Sequence, residues 1–326
     1  MHVFVTGGSG FVGGRLIETL CGHGDRVSAL ARTEAAMEAV AERGARPVPG
    51  DLSDPLALRD AVRGADLVVH AAAKLRGGPG DRAAFEEVNV VGTARLLDAV
   101  RSAEVPALVY VSTEQVVMER GQPLLGADES VPYTTRPIGL YARTKRDAEI
   151  RVRDAASGGL RTVVVRPRMV WGRGDTSLLP AIVKAVQTGR FAWIDGGQQL
   201  TSTCHVANVV EGILAAAARG RAGEVYFLTD GEPVEFRAFW TELMATQGVD
   251  PPRRSMSHRA ATAAATAAEG VWRLLGRHGE PPVTAATVEL LSRSCTIDDG
   301  KARRELGYTG HLSRAEGLGE LLLAQH

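Results

Sequence analysis

Tyr141 and Lys145 stand four residues apart in Tyr141-Ala142-Arg143-Thr144-Lys145, at the start of a helical pattern. Four residues rise about 6 Å, so both side chains lie on one helix face, one turn apart. A phenol with a reference pKa near 10 is a poor acid or base at neutral pH. A neighbouring ammonium favours the phenolate and lowers that value. A shift of about three units takes roughly 4 kcal/mol, which asks for a second positive charge nearby. Lysine is scarce here, four against 34 arginines, so a lysine in this place calls for a reason beyond surface charge. Upstream, Val109-Tyr110-Val111-Ser112-Thr113-Glu114-Gln115 ends an apolar run. Hydroxyls at the carboxyl end of a central strand face a ligand crevice, where Ser112 or Thr113 can hydrogen-bond a carbonyl oxygen.

The second constellation is Thr6-Gly7-Gly8-Ser9-Gly10-Phe11-Val12-Gly13, directly after an apolar strand and opening a helix. Glycines at 7, 10 and 13 let the backbone approach a pyrophosphate, and the helix N-terminus turns free amides and its positive dipole end toward it. Position and spacing together point to a dinucleotide. Asp51-Leu52, after the third strand, offers a carboxylate to an adenine amino group. Ala71-Ala72-Ala73 leave room for a flat ligand over the strand ends, whereas His70 reads as structural. An acidic residue about 20 positions beyond the glycines marks NAD binding. That place holds Ala31, followed by Arg32 and Thr33. A guanidinium suits a 2′-phosphate, so NADP(H) is expected in preference to NAD(H).

The elements that must hold these residues alternate. Apolar runs at 3–6, 26–30, 46–49, 67–70, 108–112 and 162–166 are separated by helical patterns at 11–20, 34–43, 54–62, 82–101 and 141–156. Near-continuous apolar strands between helices predict a doubly wound α/β fold with a parallel sheet buried on both faces. Residues 1–166, with part of 196–230 returning to them, read as a Rossmann nucleotide-binding core. Residues 167–326, mostly helical from 236 onward, read as a substrate lobe, with Pro251-Pro252 and Pro281-Pro282 as breaks. The Ala/Thr-rich stretch 260–268 is flanked by Arg259, Glu269 and Arg273, which makes it an ordinary helix.

Of 326 residues, 44% are hydrophobic and 23% charged, which excludes disordered and fibrous classes. Lys+Arg and Asp+Glu both number 38, so no basic excess points to nucleic acid. Three scattered cysteines, Cys21, Cys204 and Cys295, fit a reducing compartment and neither a disulfide scaffold nor a metal site. With no apolar run of about 18 residues and no signal-peptide pattern, a cytoplasmic location is expected.

TGGSGFVG, Asp51-Leu52, HAAA, Asn89-Val90-Val91-Gly92-Thr93, YVST and YARTK together resemble the extended short-chain dehydrogenase/reductase family. Arg166-Pro167-Arg168-Met169-Val170-Trp171-Gly172 is similar to that family's RPxxVYG turn, with Trp171 in the tyrosine place. GLRTVVVRP, NVVEGILAA and SCTIDDGKARRELGY look most like its 3β-hydroxysteroid and sterol dehydrogenase branch. The resemblance implies Tyr141 as general acid/base and Lys145 as the residue that holds the nicotinamide ribose and tunes the tyrosine. It implies Thr113 as the catalytic hydroxyl and a partly structural role for Asn89. It places Pro167 and Val170 along the nicotinamide and implies a homodimer through helices 82–101 and 141–156.

These readings imply an NAD(P)-dependent oxidoreductase interconverting a ketone and a secondary alcohol on an apolar or polycyclic small molecule. Two other readings stay open. A sugar-nucleotide epimerase or dehydratase is suggested by Glu114 after Thr113. Such enzymes tend, however, to carry an arginine for the diphosphate where this chain has Thr201. Arg168 or Arg173 offers a compensating cation, so Glu114 and Arg168 are candidate substrate residues. A dinucleotide-binding sensor without turnover commonly lacks the tyrosine or the lysine, and this chain has both.

Overall fold

The computed structural model describes residues 1–157, 159–275, 281 and 283–323. Seven strands form its large sheet: β1 (His2–Thr6), β2 (Arg26–Ala31), β3 (Arg46–Pro49), β4 (Leu67–His70), β5 (Ala107–Val111), β6 (Arg161–Pro167) and β7 (Val225–Leu228). Every neighbouring pair is parallel, in the order β7-β6-β5-β4-β1-β2-β3. Parallel strands need crossovers, and helices accordingly cover both faces. Val3 and Val5 enter a core with Leu16, Ile17 and Ile213, while Phe4 between them enters a second core with Leu58, Leu96 and Val152. Two-sided burial is why the strands show no polar alternation. The doubly wound α/β expectation is met. Strand order reverses between β1 and β4, which opens a crevice above their carboxyl ends.

Capping sets the helix starts. Asp54 accepts from the Leu56 and Ala57 amides at 3.0 and 3.1 Å and opens the helix Pro55–Val62, as the sequence indicates. The helix expected at 82–101 is interrupted. A short α-turn Arg82–Phe85 runs into a π-helical turn Glu86–Val91 before the α-helix Gly92–Ser102 begins. The wide turn carries Asn89, whose Oδ1 accepts the Lys74 amide at 2.7 Å. Its Nδ2 donates to the Lys74 carbonyl at 3.1 Å and to Thr144 Oγ1 at 2.9 Å. Asn89 thus ties the loop after β4 to the helix that carries Tyr141.

A smaller, four-stranded sheet is ordered Val234–Glu235, Leu200–Thr201, Cys295–Ile297, Leu124–Ala127. Trp171, Trp193, Phe236, Phe239 and Trp240 pack as a separate aromatic core beside it. Stretch 260–268 falls within the helix His258–Leu274, and among the described residues no helix is long and apolar enough to cross a membrane. Of the break at 281–282, Pro282 lies outside the described residues.

Candidate active site

The glycine loop sits at the crevice. Gly7 has φ +77°, and a Cβ there would come within 2.7 Å of the Ala72 amide nitrogen. A Cβ on Gly10 would stand 3.2 Å from the Gly7 carbonyl, and one on Gly13 would collide with it. The loop can close only with glycine at 7 and 13. Gly10 caps the helix Phe11–Gly22 and supplies no side-chain bond, so the first-turn amides, those of Phe11 and Val12 included, carry no side-chain partner. This is a fitting cradle for a pyrophosphate. Ala71, Ala72 and Ala73 line the opposite wall and are half-buried.

His70 holds that wall together. Its Nδ1 pairs with Thr6 Oγ1 at 2.7 Å and its Nε2 with Thr93 Oγ1 at 2.9 Å. Burial, reinforced by Lys145, pushes its pKa down to about 3, so the ring stays neutral and the structural reading of His70 holds.

Beyond the carboxyl end of β2, Arg32 Nη1 stands 3.7 Å from Asp51 Oδ2, with side chains 71% and 41% exposed. The pair leaves both groups free to turn toward a ligand. Asp51 also accepts from the Ser53 amide at 2.9 Å, and Leu52 is buried beneath.

β5 delivers Ser112 and Thr113, and the helix Gly139–Ser157 delivers Tyr141 and Lys145. The two hydroxyls part. Ser112 is buried and donates to Glu149, which also accepts from Tyr133 Oη at 2.9 Å and pairs with Arg166 Nη2 at 2.5 Å. That network secures strand to helix and engages the Ser112 hydroxyl proton. Thr113 stays beside Tyr141, hydrogen-bonded to it. Pro167 is buried at the end of β6, the strand beside β5, and half-buried Val170 opens a separate two-residue strand, Val170–Trp171, just after it.

At Tyr141 the protein's own groups act against the phenolate. Burial first, and the Glu114 carboxylate second, push its phenol above the ordinary range, while the Thr113 hydrogen bond opposes them. The Lys145 ammonium is turned elsewhere, donating to the Val111 carbonyl at 2.6 Å and lying 3.9 Å from the centre of the Tyr110 ring. Burial at 2% exposure lowers the Lys145 pKa to about 7, against the opposing pull of Glu149. Glu149 escaped the sequence reading, although its place four residues beyond Lys145 puts it on the same helix face.

Glu114 and Arg168 meet as a buried ion pair, Nη1 to Oε1 at 2.5 Å, and Arg168 Nη2 reaches Thr201 Oγ1 at 3.3 Å. Arg173 is exposed. Among the described residues no cluster of three or more metal-ligating side chains occurs.

The glycine loop after β1 and the Thr113, Tyr141 and Lys145 side chains near the end of β5 belong to a chain of the extended short-chain dehydrogenase/reductases. More narrowly, the chain belongs to the 3-beta hydroxysteroid dehydrogenase/isomerase family, whose model matches residues 4–258. It is 47% identical to the 4-hydroxy-2-methyl-3-oxo-4-farnesyl-3,4-dihydroquinoline-1-oxide ketoreductase of Stigmatella aurantiaca, over 98% of this chain and 96% of that one. It is 35% identical to the 2-alkyl-3-oxoalkanoate reductase of Stenotrophomonas maltophilia, over 98% of each. Among solved structures, the dTDP-glucose 4,6-dehydratase DesIV of Streptomyces venezuelae, with NAD and TYD bound, superposes with TM-score 0.76 at 27% identity, covering 99% and 96% of the two chains. The protein is thus an oxidoreductase of the ketone–secondary alcohol couple that uses a nicotinamide dinucleotide.

Proposed function

We propose that this chain reduces a ketone on an apolar small molecule with NADPH, Tyr141 acting as the general acid. The observation that carries this reading is the convergence of Thr113, Tyr141 and Lys145 at the carboxyl end of β5, across the crevice from an uncapped helix N-terminus. Gly7, Gly10, Phe11, Val12 and Gly13 would hold the pyrophosphate, Asp51 the adenine and Arg32 the 2′-phosphate. Lys145 would hold the nicotinamide ribose. When bound, the reduced nicotinamide supplies the hydride to the carbonyl carbon. Tyr141 gives its phenolic proton to the carbonyl oxygen, and Thr113 stands beside that oxygen. Glu149 and Asn89 keep the helix of Tyr141 and Lys145 in register with β5 and the loop after β4.

Two features favour an apolar substrate over a sugar nucleotide. Thr201 occupies the place where a cation would hold a diphosphate, and the nearby Arg168 is already paired with Glu114. The relatives named above act on a farnesylated quinoline ketone and on 2-alkyl-3-oxoalkanoates, which combine a carbonyl with a hydrocarbon body. A cytoplasmic homodimer completes the reading. Val91 and Ile150, 37% and 36% exposed, supply apolar surface beside the helix Gly92–Ser102 and on the helix Gly139–Ser157. The test supplies NADPH with a long-chain 2-alkyl-3-oxoalkanoate or a 3-ketosteroid, and separately supplies UDP-glucose or dTDP-glucose. Oxidation of NADPH by one of the ketones is expected. Epimerisation or dehydration of a sugar nucleotide without ketone reduction would overturn the proposal.

A further inference from the structure

Gly172-Arg173-Gly174-Asp175 makes a tight turn just beyond the short strand Val170–Trp171, closed by the Asp175 amide on the Gly172 carbonyl at 3.3 Å. Gly174 has φ +92°, the left-handed value that the third residue of a type II turn requires, which leaves Arg173 at the tip. Both sides of the turn are fixed. A Cβ on Gly172 would come within 2.5 Å of His205 Nε2, so only glycine fits there. Asp175 accepts the Ser177 and Leu179 amides at 2.7 and 2.8 Å. Arg76, from the loop after β4, donates to the Ser177 carbonyl at 2.5 Å.

The turn reaches back to the glycine loop after β1. A Cβ built on Gly174 would stand 3.7 Å from the Phe11 ring, and Phe11 opens the helix whose N-cap, Gly10, supplies no side-chain bond. Thr6–Gly13 contains neither lysine nor arginine, so the loop offers a pyrophosphate amides and no cation. Arg173 is exposed and, among the described residues, has no ion-pair or hydrogen-bond partner. Arg168, by contrast, is held by Glu114 and Arg76 by the Ser177 carbonyl.

We propose that Arg173 is a cofactor-binding residue, supplying the cation that the glycine loop lacks and pairing with the pyrophosphate of the nicotinamide dinucleotide. This rests on the reading of that loop as the pyrophosphate cradle. A guanidinium forms charge-assisted, bidentate bonds with phosphate oxygens, and a turn already fixed on both sides presents it at little ordering cost. The contact between Gly174 and Phe11 assigns this cation to the cofactor in preference to the diphosphate of a sugar nucleotide. NADPH and NADH share the pyrophosphate, so Arg173 strengthens both alike. Arg32, assigned to the 2′-phosphate, strengthens NADPH alone.

The test measures the binding of NADPH and NADH to the wild type, Arg173→Gln and Arg32→Ala by titration calorimetry. Adenosine 2′-phosphate, which has no pyrophosphate, serves as a competitor. Arg173→Gln is expected to weaken both dinucleotides by a similar factor, about tenfold, and to leave the affinity of adenosine 2′-phosphate unchanged. The loss should shrink as salt is added, since the contact is exposed. Arg32→Ala should weaken NADPH and adenosine 2′-phosphate and spare NADH. Dinucleotide affinities within about twofold of wild type in Arg173→Gln would make Arg173 a surface cation only and overturn the proposal. A loss confined to NADPH, or one seen for UDP-glucose and for neither dinucleotide, overturns it as well. A wild type that binds neither dinucleotide would defeat the cradle and the proposal with it, a result distinct from an intact wild type and an indifferent Arg173→Gln.

Discussion

Replacing Lys145 with methionine should stabilise this protein while abolishing its activity, and the stabilisation should depend on pH. Lys145 is 2% exposed, and burial lowers its pKa from 10.5 to about 7. The unfolded chain takes up a proton below about 10.5, whereas the native protein takes it up only below about 7. Between those values the unfolded state binds more protons, so wild-type stability rises with pH across the window, and below it the full penalty applies. At about 1.36 kcal/mol per unit, the penalty is roughly 5 kcal/mol near pH 6 and under about 1 kcal/mol near pH 10. Lys145→Met removes it, and also loses the bond to the Val111 carbonyl and the contact with the Tyr110 ring. Those losses cost about 1–3 kcal/mol at any pH, so the net gain near pH 6 is about 2–4 kcal/mol. The pH-dependent part is the cleaner quantity. Urea unfolding of both proteins without added cofactor should show the stability difference shrinking by about 4 kcal/mol from pH 6 to pH 10. Parallel stability curves would refute the reasoning, because they would mean that the lysine is charged in both states throughout.

Lys145→Arg should lose at least about tenfold in turnover despite keeping the charge, since a planar fork does not fit the buried place of a compact ammonium; wild-type rates in that variant would contradict this. Arg32→Ala should abolish a ten- to hundredfold NADPH preference, measured as kcat/KM for both cofactors, because one charge-assisted contact contributes roughly 1.5–3 kcal/mol. Its unfolding free energy should stay within about 0.5 kcal/mol of wild type, as expected of an exposed pair. Glu149→Leu should destabilise the fold by about 3–5 kcal/mol in urea, because Arg166 would be left buried and unpaired. A loss under about 1 kcal/mol would show that Arg166 finds another partner.

The large sheet is legible in the chain because each buried strand is an uninterrupted apolar run and each crossover has its own punctuation. The runs 46–49 and 67–70 coincide with β3 and β4, and Asp54 caps the helix that its position announces. The π-helical turn at Glu86–Val91 is not legible, since one widened turn hardly disturbs apolar spacing over 82–101. The small sheet is built from strands of two to four residues such as Leu200–Thr201 and Cys295–Ile297, too short to show a period. At the site, glycine positions and the Tyr141–Lys145 spacing are local and readable. The direction of the Tyr141 shift is not, because it depends on burial and on Glu114, whose clamp Arg168 lies 54 residues further on. Ser112 and Thr113 look alike in sequence, and only the tertiary position of Glu149 separates them.

The most direct measurement compares wild type with Tyr141→Phe for two quantities, NADPH affinity and the rate of NADPH-dependent reduction of whichever ketone the wild type accepts. Proton transfer by a positioned side chain contributes about 10²–10⁴ to the rate, and the phenol hydroxyl is no part of the glycine cradle. Turnover should therefore fall about 100-fold or more while NADPH affinity stays within a few-fold. Undiminished turnover in Tyr141→Phe would contradict the account.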